Sequence, residues 1–179
     1  MEQPIETSVR LRSSLASVRA LIAHDPGVVV TTAATDDERR DRRFHTELAV
    51  DLGAGTSVKQ EIVVQLGVAV ATAHAVRLPV RWEPTGHQPL FPTFEGDFVV
   101  SVDRSGPRLA LRGRYTIPLG WVGRLGDGVV GKRLARRVLT AHLEGVARRL
   151  DDEVASRGVA SAPKAGLASV DLDSENFIG

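Results

Sequence analysis

The chain has 179 residues; 42% are hydrophobic, 25% are charged and the net charge is +1. These values are typical of one globular domain that is long enough to bury a core. A net charge this close to zero gives no electrostatic reason to expect nucleic acid as a partner. The chain has no cysteine, which excludes disulfides, a thiolate nucleophile and cysteine-based metal sites.

The first residues show no targeting or membrane-spanning pattern. Residues 1–7 lack the basic start and the apolar run of a signal peptide. No window approaches the roughly 18 apolar residues that a membrane span requires. We therefore expect a cytoplasmic protein that does not insert stably into membranes.

The first forty residues predict a strand followed by a short helix. The strand is indicated by inward-facing Ile5, Thr7, Val9 and Leu11 in alternation with polar residues. Ser13 or Ser14 is expected to cap the helix, which Asp25-Pro26-Gly27 ends. Residues 28–32 are interpreted as a brief extended piece, and the charged run 36–43 as a solvated turn.

Alternation of apolar and polar residues predicts further strands up to Trp82. The inward-facing residues are Phe44, Thr46, Leu48, Val50 and Leu52, then Val58, Gln60, Ile62, Val64 and Leu66, then Val70, Thr72, His74, Val76, Leu78, Val80 and Trp82. Pro79 falls on the outward side of the last segment, which indicates either two strands or one bent edge strand. Residues 84–92 are predicted to form a loop.

A hairpin is predicted over residues 94–117. A two-residue turn at Ser105-Gly106 would place Tyr115 opposite Gly96, and Phe98 opposite Gly113. An aromatic ring would then cover each inward-facing glycine. The alternative is that the two glycines mark bulges or bends.

A long amphipathic helix is predicted from the glycine-rich segment 126–131 to about residue 156. Its apolar residues recur at intervals of three and four, namely Leu139, Leu143, Val146, Leu150 and Val154. After Gly158 the composition changes to Ala, Ser, Pro, Gly and Asp. We expect one domain over residues 1–157 and a mobile tail over 158–179.

Residues 126–131 match the dinucleotide-binding pattern G-x-G-x-x-G, and with Lys132 they match most of a P-loop. The context fits neither motif, because no βαβ unit is predicted here and Arg133 occupies the Ser/Thr position of the P-loop. We interpret the glycines as a tight turn, with Asp127 as the N-cap of the helix. Anion binding near Lys132 and Arg133 is the functional alternative. No cofactor is expected.

Several short motifs follow one another along the chain: Leu78-Pro-Val-Arg-Trp82, Leu90-Phe-Pro92, Phe94-Glu-Gly96, Leu111-Arg-Gly113-Arg-Tyr115 and Pro118-Leu-Gly120, then Asp127 and the long helix. In this order they resemble the START-like superfamily, also called SRPBCC, which includes polyketide cyclases and lipid-transfer domains. The resemblance covers residues 5 to about 156 of the sequence. It implies an α+β helix-grip fold, in which a curved antiparallel sheet wraps around a long C-terminal helix with an apolar cavity between them. It implies no catalytic set, because members share a cavity rather than catalytic residues.

Polar side chains that face inward are candidates for contacts in such a cavity. His74 and His142 could bind a ligand carbonyl or exchange a proton, or each could be a satisfied core or rim group. The Tyr115 hydroxyl is a candidate on the same grounds, and Trp82 is expected either at the pocket mouth or in the core. The predicted cavity lining comprises Phe44, Gln60, Ile62, His74, Trp82, Phe94, Phe98, Leu111, Tyr115, Leu139, His142, Leu143 and Val146.

The leading hypothesis is a protein that binds or carries a small hydrophobic molecule, such as a lipid, an isoprenoid or a polyketide-like compound. The second hypothesis is an enzyme of the polyketide cyclase or dehydratase type that uses the same cavity. The third is a protein-interaction module with a filled core. The five histidines show no metal-binding spacing, so no metal is expected. The sequence determines neither the ligand nor the oligomeric state.

Overall fold

The computed structural model describes residues 2–31, 33–53, 56–85, 93–116 and 128–161. Within these ranges the chain forms seven strands, three α-helices and one 3₁₀-helix. In chain order they are β1 (Glu2–Arg10), α1 (Leu15–His24), the 3₁₀-helix (Pro26–Val29), α2 (Asp36–Asp41), β2 (Arg43–Gly53), β3 (Thr56–Leu66), β4 (Val70–Ala71), β5 (Ala75–Pro84), β6 (Thr93–Asp103), β7 (Gly106–Thr116) and α3 (Gly128–Ser161).

The strands form one curved, unclosed antiparallel sheet in the order β1-β7-β6-β5-β3-β2, with β4 paired to β5. Helix α3 packs across the inner face of this sheet, mainly against β1, α1 and the 3₁₀-helix. The α+β architecture predicted from the sequence, with a curved sheet and a C-terminal helix, is confirmed. Among the described residues, no helix combines the length and apolar character needed to cross a membrane.

Helix α1 begins where the sequence predicts, at the cap Ser14, whose side chain accepts a hydrogen bond from the Ser17 N–H at 3.1 Å. The extended piece predicted after it is wrong, because residues 26–29 form the 3₁₀-helix. The Asp25 carboxylate caps this turn by accepting from the Gly27 N–H at 3.0 Å. Pro26 supplies the helical φ at its first position.

The charged run is solvated, as predicted, but it forms helix α2 rather than a turn. Thr35 and Glu38 form a capping box: the Glu38 N–H donates to the Thr35 hydroxyl at 3.3 Å, and the Thr35 N–H donates to the Glu38 carboxylate at 2.9 Å. The Thr-x-x-Glu spacing is typical of a helix start. It explains why this charged segment forms a helix and not the predicted turn. Arg42 ends the helix in the left-handed conformation, with φ at 53°.

Pro79 marks the place where β5 exchanges one neighbour for another. Pairing with β3 extends only to Val80, and pairing with β4 begins at Arg77. The missing N–H of Pro79 therefore falls in the gap between the two partners, while its carbonyl accepts from the Gly67 N–H at 2.8 Å. Of the two predicted arrangements, the structure has two strands, but the break lies at residues 72–74 and β5 runs on through Pro79.

The predicted register of the β6–β7 hairpin is wrong. The turn is Arg104-Ser105, and Asp103 pairs with Gly106. The Asp103 side chain accepts from the Ser105 N–H at 2.7 Å, and Gly106 adopts a positive φ of 112°, so the turn closes one residue earlier than expected. Gly96 consequently faces Gly113, while Phe94 faces Tyr115 and Phe98 faces Leu111.

Helix α3 continues to Ser161, past the domain boundary predicted at residue 157. Gly158 weakens the helix without ending it, and the first proline after it is Pro163. The predictions for residues 86–92, 117–127 and 162–179 lie outside the described residues. They include the Pro118-Leu-Gly120 motif and the Asp127 cap.

Candidate ligand-binding site

Most of the predicted lining is brought together in one buried apolar cluster between the sheet and α3. Each of these side chains is at most 5% exposed. From the sheet they are Phe44, Ile62, Trp82, Phe94, Phe98, Leu111 and Tyr115, and from α3 they are Leu139, Leu143 and Val146.

Four of the five Phe, Tyr and Trp side chains of the cluster lie in one row across five strands. Successive pairs in the register join Phe44 to Val64, Val64 to Trp82, Trp82 to Phe94 and Phe94 to Tyr115. Paired residues of antiparallel strands point to the same side of a sheet. We call Phe44, Trp82, Phe94 and Tyr115 the aromatic row. Their common direction follows from the registers, which residue spacing alone did not reveal.

The next row along the strands has no side chains at its centre. A Cβ atom built on Gly96 would lie 2.8 Å from the Phe94 ring, and one built on Gly113 would lie 2.7 Å from it. The ring therefore occupies the space that these two glycines leave open. The aromatic cover predicted for the glycines is present, but one ring supplies it, and that ring comes from the neighbouring row.

Helix α3 places His142 against the aromatic row. The Trp82 ring stacks on Phe94, with centroids 4.2 Å apart and planes at 16°. The His142 ring meets Trp82 edge-on, with centroids 6.2 Å apart and planes at 62°. Among the described residues, the His142 imidazole has no hydrogen-bond partner.

Burial, and secondarily the positive charge of Arg149, lower the pKa of His142 from 6.5 to about 4. The imidazole is therefore neutral near pH 7, when it offers one N–H donor and one nitrogen acceptor. Burial raises the pKa of the Tyr115 hydroxyl, which keeps its proton at that pH. The two groups can donate or accept hydrogen bonds but carry no charge.

Two predicted lining residues lie elsewhere. His74 is exposed in the bend between β4 and β5, and its N–H donates to the Thr72 hydroxyl at 3.4 Å. Its predicted inward orientation is wrong, because this bend interrupts the alternation that the sequence pattern extends through it. Gln60 is half-buried on β3, and its side-chain N–H donates to the Thr85 carbonyl at 2.7 Å, which ties β3 to the end of β5.

Sequence reasoning missed two residues of α3. It did not consider Asp151, which is only 7% exposed and accepts from the backbone N–H groups of Arg12 at 3.1 Å and Ser13 at 2.8 Å. It also did not single out Arg149, which is half-buried and donates to the Val28 carbonyl at 3.3 Å. Both residues are direct neighbours of Leu150 in the sequence. This position could have indicated their partial burial, since side chains beside an apolar stripe are often partly covered.

The opposite face of the sheet carries a separate groove of about 950 Å³ with a charged lining. Its charges compensate one another across the strands: Arg77 pairs with Asp97 at 2.8 Å, and Arg112 pairs with Glu6 at 2.9 Å. This face of the sheet is therefore charged and its charges are paired, in contrast to the apolar inner face. Within the part of the chain that the structure describes, no three His, Asp or Glu side chains are grouped so that they could hold a metal ion.

No family model matches the chain, and no curated protein matches it. Among solved structures, it is similar to TTHA0849 from Thermus thermophilus, with 16% identity and a TM-score of 0.45 over 90% of this chain and 100% of that one. It is also similar to the di-domain ARO/CYC protein StfQ from the steffimycin biosynthetic pathway, with 17% identity and a TM-score of 0.49. That match covers 88% of this chain and 52% of StfQ.

A third similar structure is protein Ms6760 from Mycobacterium smegmatis, with 11% identity and a TM-score of 0.40. The match covers 84% of this chain and 89% of that protein. The fold assignment for the present chain rests on the strand order and the helix packing described above.

Proposed function

We propose that this protein binds and carries a small hydrophobic molecule between the inner face of the sheet and α3. The observation that carries the proposal is His142, a neutral imidazole beside buried aromatic rings with no hydrogen-bond partner among the described residues. The His142 ring is half-buried, so its nitrogens are within reach of a molecule that enters between the sheet and α3, and a few such polar groups in an apolar lining are what orient a bound ligand. A ligand carbonyl or hydroxyl would supply the partner.

The packing of α3 supports the same location. Among the described residues, its backbone comes close to β1, α1 and the 3₁₀-helix, but only sparsely to β3, β5 and β6. Large side chains span the distance between α3 and these three strands, as where Trp82 on β5 contacts His142 on α3. An apolar layer with a few polar groups between a sheet and a helix is typical of small-molecule sites.

The chemistry of His142 favours binding over proton transfer. A general base or acid works best when its pKa lies near the operating pH. With a pKa of about 4, His142 is a weak base and is not protonated near pH 7. Carrying is therefore better supported than the cyclase or dehydratase alternative.

The test is ligand uptake by protein purified without detergent. Native mass spectrometry is expected to show a co-purified hydrophobic molecule, or uptake of a fluorescent fatty-acid analogue by the stripped protein. In a Trp121→Phe variant, Trp82 is the remaining tryptophan, and its emission should change as the analogue binds.

A variant pair locates the site. His142→Phe keeps a ring against Trp82 but removes both hydrogen-bonding nitrogens, so binding of a probe with a polar head should weaken about tenfold, the effect of roughly one lost hydrogen bond. His74→Phe makes the same change at an exposed position and should leave binding unchanged. Wild-type protein that is always empty and takes up no analogue would support the third alternative, a filled core.

A further inference from the structure

Arg149 lies on α3 two helical turns after His142, at a rise of about 10.5 Å on nearly the same side of the helix. Its guanidinium donates to the carbonyl of Val28 in the 3₁₀-helix at 3.3 Å. The neighbouring Gly27 abuts the first ring of the aromatic row, since a Cβ atom on Gly27 would lie 2.7 Å from the Phe44 ring. Arg149 therefore lies near the Phe44 end of the aromatic row, whereas His142 contacts Trp82 near its centre.

Among the described residues, no carboxylate pairs with Arg149. Two largely buried aspartates lie near Arg149 in the chain or beside the 3₁₀-helix, and both have other partners. Asp25 accepts from Arg39 at 3.3 Å and from the Gly27 N–H. Asp151 accepts from Arg12 and Ser13. The single bond to Val28 uses one of the five N–H donors of the guanidinium.

Arg149 is half-buried and has no counter-ion among the described residues, and a charge that is partly removed from water gains from pairing with an opposite charge. Burial lowers the pKa of Arg149, in agreement with its partial removal from solvent. The positive charge of Arg149 also contributes, after burial, to the low pKa of His142.

We infer that the ligand is a hydrophobic carboxylic acid, whose carboxylate is bound by Arg149 while its apolar body lies over the aromatic row toward His142. This inference rests on the proposed carrier function and adds the chemical class of the ligand. The planar guanidinium fork matches a carboxylate with two parallel N–H···O bonds, and such charge-assisted bonds are stronger than neutral ones. The ligand would supply the counter-ion that the described residues do not.

The experiment compares dodecanoic acid with its methyl ester at pH 7.5 by calorimetric titration of the full chain. The wild type is expected to bind the acid about tenfold more tightly than the ester, because only the acid forms a charge-assisted pair. Arg149→Met should remove this preference by lowering the affinity for the acid relative to the ester, and Arg149→Lys should retain part of it. Arg148→Met, at the exposed neighbouring position, is the matched control and should keep the wild-type preference.

The outcomes separate the two proposals. Equal binding of acid and ester by the wild type, or an unchanged preference in Arg149→Met, overturns the inference but leaves the carrier function standing. No binding of either compound overturns the carrier function itself.

A second measurement is independent of folding of the variants. With ¹³C-carboxyl dodecanoic acid bound to the wild type, a carboxylate paired with Arg149 should titrate below its pKa in the absence of protein. A bound acid that titrates above that value lies in an apolar site without a cation, which would overturn the inference.

Discussion

Gly96 and Gly113 occupy paired positions on β6 and β7, and the Phe94 ring lies against both of them. A Cβ atom on Gly96 would lie 2.6 Å from the Cα atom of Gly113, so the two backbones leave no room for a side chain on this face. The pair thereby creates the space that the ring fills. The packing of the aromatic row depends on these glycines.

Gly113→Ala is expected to destabilise the fold by about 1–3 kcal/mol, the usual cost of overpacking a core. The new methyl group would contact both Phe94 and the backbone of Gly96, and the backbone cannot move away cheaply. Gly145→Ala is the matched control, since the nearest atom to its Cβ is 3.9 Å away and helix propensity favours alanine by up to about 1 kcal/mol. Urea denaturation should therefore give changes of opposite sign, and equal small changes would contradict this packing.

Asp151→Asn is expected to lower the free energy of unfolding by about 2–3 kcal/mol, because hydrogen bonds to a covered carboxylate are worth more than neutral ones. Asp151 fixes the start of α1 to α3 by accepting from the backbone of Arg12 and Ser13. Asp152→Asn changes the adjacent exposed carboxylate and should have little effect. A similar loss in both variants would show that the negative charge of α3, rather than these bonds, is responsible.

The contribution of Asp151 should also depend on pH. Burial alone would raise the pKa of Asp151, but hydrogen bonds from Arg12 and Ser13 outweigh it and lower the pKa below 3.8. A carboxyl whose pKa is lowered on folding stabilises the protein above its unfolded pKa and loses that contribution as the pH falls through the folded value. The stability difference between wild type and Asp151→Asn should thus persist at pH 6 and shrink below about pH 4.

His142 should also make stability depend on pH, in a window above that of Asp151. Its pKa falls from 6.5 to about 4 on folding, so between these values the unfolded chain binds more protons than the folded one. Stability should therefore decrease as the pH falls from 6.5 to 4, by up to about 3 kcal/mol at about 1.4 kcal/mol per pKa unit. His142→Gln should flatten the curve in this window, whereas exposed His74→Gln should not. An NMR titration that places the His142 pKa near 6.5 would refute the expected burial.

Thr35→Ala is expected to cost about 1 kcal/mol, the usual effect of removing an N-cap side chain. The Thr35 hydroxyl accepts from the Glu38 N–H, and that helix start holds the Glu38 carboxylate where it also accepts from the His45 N–H on β2 at 3.0 Å. Thr35→Ser keeps the hydroxyl and should remain close to wild type. Chemical denaturation of the three proteins distinguishes loss of the cap from a general effect of substitution.

Errors in the sequence predictions arose where a single polar contact decides the backbone path. The Asp103 carboxylate accepts from the Ser105 N–H, and the hairpin turn lies one residue earlier than predicted. Gly96 therefore pairs with Gly113, whereas the predicted partner of Gly96 was Tyr115. The hydroxyl of Thr72 accepts from Ala75 in the bend before β5, and His74 lies exposed in that bend. Such contacts are too local to change a hydrophobic pattern, yet they set which residues meet.

The sequence by itself determined the α+β class, the inward face of most strands and the apolar stripe of α3. These follow from periods of two and 3.6 residues, which need no knowledge of distant neighbours. Only the tertiary structure decided that Trp82, Phe94 and Tyr115 share one row, and that Arg149 is half-buried without a carboxylate among the described residues. Both depend on strand register and on the docking of α3 against the 3₁₀-helix, which bring together residues far apart in the chain.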